Sequence, residues 1–379
     1  MDGVLHLIHS PKVGGVEAAA AHLREHCTGV HYELAALGPA PGRAPASARA
    51  GSPSAPDRAG SPSVASPAPG TDFCGSGLND PRSAVAFWRY ARAHRPRVLV
   101  TSLWRSVLVG LLSRPFLPGT RWVVYLHNSR WTSPVDRLVH AVALRRADAV
   151  FCDSRAALQA LVPPTVTRRV PVHIVRPSAR PADGEAGNGA ALPIGAAPAP
   201  DAVIRLLFWG RIAHQKRLDR AVRLLAALEA QQPGGATLAV IGPDEGEQAA
   251  LEQLAKQLGV AALLTWHGAQ DWEQIRLHAA ASTFFVQLSE YEGLAMAVAE
   301  AMALGLVPVV TPVGEIPHRT HDGIDAVHAH PPLAVLAAQL REIAQDPERH
   351  HRMSASAAAV AVPDFVEEFT RACEEVAAR

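Results

Sequence analysis

The stretch Glu290–Gly314, "EYEGLAMAVAEAMALGLVPVVTPVG", decides the fold of the second half of the chain. It follows the strand-like run "TFFVQLS", and its apolar helical pattern stops at Gly305 before a second apolar run, Val307–Thr311. It has roughly the length of a membrane span, but Glu300 lies near the middle of its apolar core and no basic flank precedes it. A buried strand, a helix and a second buried strand explain it better, and this is the repeating unit of a parallel α/β sheet.

The same alternation of apolar runs and helical patterns continues through the whole chain. The predicted strands are Val4–His9, Val30–Leu37, Val98–Leu103, Trp122–His127, Ala149–Asp153, Val172–Val175, Val203–Trp209, Thr237–Ile241, Leu263–Trp266, Thr283–Leu288, Val307–Thr311 and Ala326–His328. Continuous apolar strands indicate parallel sheets that are covered on both faces. The sequence therefore predicts an α/β protein with two Rossmann-like doubly wound domains facing across a cleft, and ligands bound beyond the carboxyl ends of the strands.

Two segments rich in Pro, Gly, Ala and Ser divide the chain. We predict an N-terminal domain at residues 1–177, with a flexible low-complexity insert at 38–72. Residues 178–201 are predicted to be a linker, residues 202–362 a C-terminal domain, and residues 363–379 a C-terminal helix that packs back on the N-terminal domain.

Composition limits the class of protein. Of 379 residues, 48% are hydrophobic and 19% are charged, which is a globular balance. The four cysteines form no CxxC pair, which argues against a structural zinc site or a disulfide framework. The segment Met1–Lys12 has no basic n-region and no small-residue cleavage motif, so we expect no signal peptide. We therefore expect a cytoplasmic location.

The net charge of +1 hides an asymmetry, because residues 1–175 carry +10 and residues 176–379 carry −9. A basic front half predicts an anionic partner, either an acidic acceptor or peripheral contact with an anionic membrane at the inner face. A solvated arginine-rich surface is the alternative. A protein that ignored anionic vesicles at low salt would contradict the membrane contact.

Two loops of the first half follow strands and carry residues suited to a ligand. In "HSPKVGGVEAAAAHL", Gly14 and Gly15 precede a helix that opens at Val16 or Glu17. Glycines let the backbone approach a ligand, and the free N–H groups of a helix start attract an anion; a plain turn is the alternative.

In "VVYLHNSRW", His127 ends a strand, where a neutral imidazole suits a sugar hydroxyl or a carbonyl; a structural histidine is the alternative.

A third loop, "LLFWGRIAHQKRLDRAV", places Gly210, Arg211 and Lys216 after a buried strand. Two cations on one short loop suit a diphosphate, whose two phosphates both need neutralisation. The loop lacks the GxxxxGK[ST] pattern, so a P-loop is not supported. A solvated basic turn is the alternative.

The fourth loop is the opening stretch, in which Glu292 precedes a helix and Glu300 lies about two turns inside it. The surrounding residues "AVAEAMAL" are apolar on nearly every face, so Glu300 is not an ordinary surface charge. Its oxygens suit vicinal hydroxyls, and the helix start suits a phosphate. A salt-bridged Glu300 is the alternative.

Together the four loops resemble the family 4 retaining glycosyltransferases of the GT-B fold, the glycosyltransferase group 1 family. The most specific element is the family's Glu-x7-Glu motif, here Glu292 to Glu300. "GRIAHQK" is similar to the family's basic pair, "GVEAAAAHL" to its Gly-Gly-x-Glu loop, and "YLHN" to its acceptor-side histidine.

The resemblance implies that residues 1–177 form the acceptor-side domain and residues 202–362 the nucleotide-sugar donor domain. It also implies roles for individual residues. The implied catalytic residues are His127, Arg211, Lys216 and Glu292. The implied donor-binding residues are Gly14, Gly15, Gly210, Arg211, Lys216, Gly268, Glu292, Gly293, Leu294, Ala295 and Glu300. In this scheme the two cations stabilise the departing diphosphate, Glu300 binds ribose, Glu292 and His127 contact the transferred sugar, and backbone near Trp266–Gly268 reads the base.

The resemblance also implies an activity. The expected reaction moves a hexosyl or N-acetylhexosaminyl group, with retention, from a nucleotide-diphosphate sugar (UDP most often) to an unidentified acceptor. No metal, no other cofactor and no nucleic acid are expected. A sugar-nucleotide epimerase and a non-catalytic sugar-nucleotide-binding protein are the alternatives.

The sequence departs from the family pattern at two places. Gly293-Leu294-Ala295 stands where the family usually has Gly-Phe-Gly, and Ala295 narrows the backbone conformations of a loop expected to meet the diphosphate. Glu315 and His318 stand where the family more often has Gly and Glu. Both departures bear on the choice of donor.

Overall fold

The structure is a computed structural model, and it describes residues 3–10, 15–39, 71–177, 203–360 and 363–379. The described residues form two compact units, one made of residues up to 177 together with 363–379, the other of residues 203–360. The predicted linker, Gly14 and most of the predicted insert lie outside the described residues.

The first unit is built on a seven-stranded parallel sheet with the order β3-β2-β1-β4-β5-β6-β7. Its strands are β1 (Val4–Ile8), β2 (Tyr32–Ala36), β3 (Phe73–Cys74), β4 (Val98–Ser102), β5 (Arg121–Leu126), β6 (Ala149–Cys152) and β7 (Val172–Ile174). Its helices are α1 (Gly15–His26), α2 (Pro81–His94), α3 (Trp104–Ser113), α4 (Pro134–Ala143), α5 (Arg155–Leu161), α6 (Pro164–Thr167) and α14 (Phe365–Ala377).

The second unit is built on a six-stranded parallel sheet with the order β10-β9-β8-β11-β12-β13. Its strands are β8 (Ile204–Trp209), β9 (Ala236–Ile241), β10 (Leu264–Trp266), β11 (Phe284–Gln287), β12 (Val307–Val310) and β13 (Val327–His328). Its helices are α7 (Leu218–Gln231), α8 (Gln248–Gln257), α9 (Trp272–Ala280), α10 (Met296–Ala303), α11 (Ile316–Arg319), α12 (Leu333–Gln345) and α13 (Pro347–Ala358).

Every strand predicted from the sequence is present, and the predicted fold class of two doubly wound parallel α/β domains is confirmed. The reason is that the central strands are buried on both faces, so almost every residue in them is apolar. The sequence analysis did not predict β3, which has two residues and pairs with Ala35 and Ala36 at the edge of the sheet. A strand that short carries no periodicity.

The C-terminal helix α14 belongs to the first unit. Its apolar face buries Phe365, Phe369 and Cys373 in a core shared with strands of the first sheet. Asp364 caps the helix by accepting a hydrogen bond from the backbone N–H of Glu367. At the outer face, Arg176 forms an ion pair with Glu368 at 2.8 Å. The chain therefore returns to its first unit after completing the second.

Each sheet reverses its direction of growth at one place. In the first sheet β1 and β4 are neighbours, and in the second sheet β8 and β11 are neighbours. At such a switch point the following loops diverge to opposite sides and leave a crevice at the carboxyl ends of the strands. These two places are where the fold itself predicts ligand binding.

Candidate functional site

The switch point of the second unit brings Lys216 and Glu292 together. Lys216 ends a 3-10 turn after β8, and Glu292 lies in the loop after β11. The Lys216 Nζ lies 2.8 Å from the Glu292 Oε1, and the Gln287 Nε2 donates to the same oxygen at 2.9 Å. The exposed fractions of the two charged side chains are 14% and 5%. Charges this buried persist because each has the other as a partner.

Backbone contacts tie the same two loops together. The backbone N–H of Glu290 donates to the carbonyl of Gln215 at 3.0 Å, and the Gln215 Nε2 donates to the carbonyl of Tyr291 at 3.1 Å. The ion pair therefore sits between loops that are held in register by their own hydrogen bonds.

A glycine that the sequence analysis did not single out supports the Glu292 loop from behind. Gly314 has φ +62°, and a Cβ at this position would overlap the Glu292 carbonyl oxygen and lie 2.7 Å from its carbonyl carbon. The backbone N–H of Glu315 donates to the Gly293 carbonyl at 3.0 Å. Only glycine permits both this conformation and this close approach.

Helix α10 starts beside the ion pair with Ala295 as its N-cap. Ala295 is in the left-handed conformation (φ 56°, ψ 56°), makes no side-chain capping bond, and no acidic residue lies in the first turn. The left-handed conformation costs an alanine about 1–2 kcal/mol. The positive end of the helix dipole is thus left without a carboxylate of its own, which suits an anionic ligand.

The two acidic residues of the motif have different neighbours. Glu300 lies only about one turn into α10, rather than two, because the helix starts at Met296. The Trp209 Nε1, at the end of β8, donates to the Glu300 Oε2 at 2.9 Å. Glu292 instead faces Lys216 and Gln287. Both carboxylates are thus oriented by residues at the β8/β11 switch point.

The two predicted cations, Arg211 and Lys216, pair with different carboxylates in the structure. Arg211 extends to Glu245 at 2.8 Å, and the side chains are 54% and 43% exposed. Lys216 instead turns inward to Glu292. Arg211 therefore pairs with an acid that follows β9, and the convergence of both cations on one diphosphate stays a prediction. Local sequence patterns cannot predict such a partner, because the two residues are 34 positions apart.

Glycines after β8, β9 and β10 lie next to one another at the edge of the sheet. The backbone N–H of Gly242 donates to the Gly268 carbonyl at 2.8 Å, and a Cβ on Gly242 would overlap the Gly210 carbonyl oxygen. Two predicted donor-binding glycines are therefore neighbours of Gly242, which the sequence analysis missed. A glycine directly after the apolar run of β9, in "IGPDEG", was the available signal.

The predicted residue His127 lies in the first unit, directly after β5. Its Nε2 lies 2.8 Å from the Ser102 Oγ, which is also 2.8 Å from the Nε2 of His6. The Nδ1 of His6 lies 2.7 Å from the hydroxyl of Tyr32. Desolvation lowers the pKa of both imidazoles to about 3. His127 is therefore neutral at pH 7, and it ends a polar chain that crosses β1 and β4.

The hydrogen-bonded side chains of His127, Ser102, His6 and Tyr32 predict a pH dependence of stability. Unfolding releases His6 to an ordinary pKa near 6.5, so the unfolded state binds a proton that the folded state binds only near pH 3. The contribution of neutral His6 is complete above pH 6.5 and is lost as the pH falls. We expect His6→Gln to reduce the slope of unfolding free energy between pH 6 and 5 by up to about 1.4 kcal/mol per pH unit.

Urea denaturation of the full chain at several pH values measures this slope. His94→Gln is the matched control, because His94 is exposed at the end of α2. Equal slopes for the wild type and both variants would contradict the role of His6.

A pocket of about 230 Å³ lies in the first unit, at the loops that follow β1, β4 and β5. His9, Arg105 and His127 line it, and so do the aromatic residues Trp104 and Trp131. The backbone N–H of Arg105 donates to the His9 Nε2 at 2.9 Å across the switch point. Of the pocket's polar side chains, the sequence analysis had identified His127 alone.

Predicted Gly15 begins α1 and is exposed. Gly293 and Leu294 lie between the ion pair and α10, and Leu294 is 7% exposed. Glu315 is 4% exposed directly after Gly314.

Among the described residues, no cluster of three or more His, Cys, Asp or Glu side chains is arranged to hold a metal ion. No helix in the described part of the chain is long and apolar enough to cross a membrane.

Comparison with known proteins gives matches in both units. Residues 196–360 match the family model described as glycosyl transferases group 1, and residues 14–178 match the glycosyl transferase 4-like domain. The chain is 30% identical over 187 residues to D-inositol 3-phosphate glycosyltransferase of Streptomyces coelicolor. That match covers 47% of this chain and 41%, less than half, of the relative.

Solved structures share the fold over the full chain. Alr3699/HepE of Anabaena in complex with UDP superposes with a TM-score of 0.71 at 17% identity, covering 100% of both chains. Sucrose-phosphate synthase of Thermosynechococcus elongatus superposes with a TM-score of 0.67 at 18% identity, covering 100% of this chain and 97% of that one. At these identities the likeness concerns the fold.

Proposed function

Since the chain belongs to the group 1 glycosyltransferases, we propose that it transfers a sugar, with retention, from a UDP-linked donor to an acceptor hydroxyl. The matches confirm the family and the glycosyltransferase assignment that the sequence predicted. Transfer without a metal ion is part of the proposal.

The observation that carries this proposal is the Lys216–Glu292 ion pair at the β8/β11 switch point, beside the start of α10. A buried ammonium held at 2.8 Å by a carboxylate is preorganised, because it needs no rearrangement when charge develops nearby. The uncapped end of α10 adds a second positive field. An anion such as a diphosphate fits this combination.

The chemistry follows from where charge develops. When the bond between the anomeric carbon and the diphosphate oxygen breaks, the sugar becomes positive and the diphosphate becomes more negative. Lys216 and the start of α10 oppose the negative charge on the leaving group. Glu292 maintains the position of Lys216, and in this proposal Glu300, oriented by Trp209, binds the ribose hydroxyls.

The choice of UDP rests on related structures. Alr3699/HepE is known in complex with UDP, with UDP and glucose, and with UDP-glucose. In this proposal main-chain groups near Gly268, which has nothing within 4 Å of its Cβ position, read the base. The pocket at the β1/β4 switch point of the first unit is the proposed acceptor site.

A panel of sugar nucleotides tests the proposal. We expect the full chain to release nucleoside diphosphate from a UDP-sugar faster than from GDP- and ADP-sugars, and EDTA to leave the rate unchanged. Mass spectrometry of the products identifies the transferred sugar, and the anomeric coupling constant in NMR shows whether configuration is retained.

Three outcomes would contradict parts of this proposal. Loss of turnover in EDTA that a divalent metal restores would contradict the metal-free mechanism. An inverted product would contradict retention. A nucleotide sugar that changes configuration but is not cleaved would replace transfer with the epimerase alternative.

A further inference from the structure

We propose that the pocket of the first unit selects an anionic acceptor, a hydroxylated ring that carries a phosphate or a carboxylate, and that Arg105 is the residue that recognises the anion. This proposal rests on the proposed transferase function and specifies its acceptor. It is carried by the charges and contacts of the pocket wall.

The guanidinium of Arg105 is positioned by neutral groups. Its Cζ lies 4.2 Å from the centroid of the Trp104 ring, and its Nε donates to the Asn79 Oδ1 at 2.8 Å. Stacking and one hydrogen bond hold the planar group in place without cancelling its charge. A guanidinium with neutral neighbours at a pocket is preorganised for a carboxylate or phosphate.

The backbone at the same place favours an anion as well. Helix α3 starts at Trp104 with Leu103 as its N-cap, which makes no side-chain capping bond, and no acidic residue lies in the first turn. An arginine in the first turn of a helix opposes the helix dipole, because both are positive. Leu103 also has φ 69°, a conformation that costs a side chain about 1–3 kcal/mol. Arg105 and the start of α3 together concentrate positive potential at one side of the pocket.

The acidic residue that lines the pocket is bonded within the wall. Both the backbone N–H and the hydroxyl of Thr132 donate to the Asp136 Oδ2, at 2.7 and 2.8 Å. The Asp136 Oδ1 lies 2.7 Å from the Nδ1 of His140. The hydrogen bonds from His140 and Thr132 outweigh burial and lower the pKa of Asp136. The Asp136 carboxylate therefore stays ionised, and its oxygens are engaged by Thr132 and His140 rather than by Arg105.

The remaining walls suit a small ring. Trp131 packs against His140 with ring centroids 5.0 Å apart, and Trp104 meets His9 edge-on at 6.4 Å. Indole faces bind the C–H faces of saturated rings, and imidazole and amide groups bind hydroxyls. A volume of about 230 Å³ is below the range for drug-sized ligands and fits one such ring.

Calorimetric titration of the full chain with three probes tests this inference. Glucose 6-phosphate, glucuronate and glucose are added while excess UDP fills the donor site. We expect at least one anionic probe to bind about tenfold more tightly than glucose, because a charge-assisted contact adds at least 1.4 kcal/mol. Arg105→Gln removes that preference, whereas Arg89→Gln, an exposed arginine of α2, keeps it.

The outcomes separate this inference from the proposed function. If glucose binds as tightly as both anionic probes in the wild type, the inference is wrong, whatever the variants show. If Arg105→Gln keeps the full preference, Arg105 is not the anion-binding residue. If Arg105→Gln does not fold by circular dichroism, Arg105→Lys replaces it, and we expect a reduced preference because the planar fork is lost. A wild type that prefers the anion but does not bind UDP would contradict the proposed function alone.

Discussion

Replacing Lys216 with alanine lowers kcat about 100- to 1,000-fold, which is the loss expected when one preorganised charge or donor is removed from a developing anion. The Lys216 ammonium faces Glu292 at 2.8 Å from the turn after β8. Lys12 and Lys256 are the only other lysines in the sequence. Lys256→Ala, at the exposed end of α8, is therefore the matched control and leaves kcat unchanged.

The same substitution also lowers stability, and the two effects must be separated. Removing one partner of a buried ion pair costs about 3–5 kcal/mol, because the other charge stays buried without compensation. The exposed fraction of the Glu292 side chain is only 5%. We expect the double variant Lys216→Ala/Glu292→Gln to recover much of the lost unfolding free energy. The neutral amide oxygen still accepts the hydrogen bond from Gln287.

Activity in the double variant decides the role of Lys216. If the lysine acts on the leaving group, kcat stays low although stability returns. If kcat returns together with stability, the lysine has a structural role and the proposed mechanism is wrong. Urea denaturation and single-turnover kinetics on the wild type, Lys216→Ala, Glu292→Gln and the double variant give both measurements and separate the contribution of Glu292 from that of Lys216.

The sequence predicted the sheets well because the physical signal in them is local. A strand such as Val307–Val310 is apolar at every position since both of its faces are covered. Helix and strand therefore alternate visibly in Glu290–Gly314 without knowledge of the rest of the chain. The placement of Lys216 and Glu292 on loops after strands followed from the same alternation.

The parts that sequence reasoning missed depend on contacts between distant segments. Sequence reasoning did not find the partner of Arg211, which is Glu245, 34 residues away and after a different strand. The contact of Arg105 with His9 joins loops 96 residues apart. Neither pairing leaves a local pattern, because each depends on which strands are neighbours at the switch point. The sequence does not predict the positive φ of Leu103, because glycine or asparagine usually occupies such a position.

Gly314→Ala is expected to lower kcat about 100-fold through displacement of the Glu292 loop. A Cβ at Gly314 would overlap the carbonyl oxygen of Glu292 and lie 2.9 Å from that of Gly293. Both obstacles are backbone atoms, so the loop must shift as a whole. A displacement of about 1 Å in a residue that positions a reacting group can cost 100-fold in rate.

Gly323→Ala separates this displacement from simple backbone strain. Gly323 has φ +73°, close to the +62° of Gly314, but nothing lies within 4 Å of its Cβ position. Both substitutions therefore carry the left-handed cost of about 1–2 kcal/mol, whereas only Gly314→Ala moves Glu292. We expect Gly323→Ala to reduce the unfolding free energy by that amount and to keep kcat. If the two variants lost activity equally, the close approach behind Glu292 would have no part in holding the ion pair.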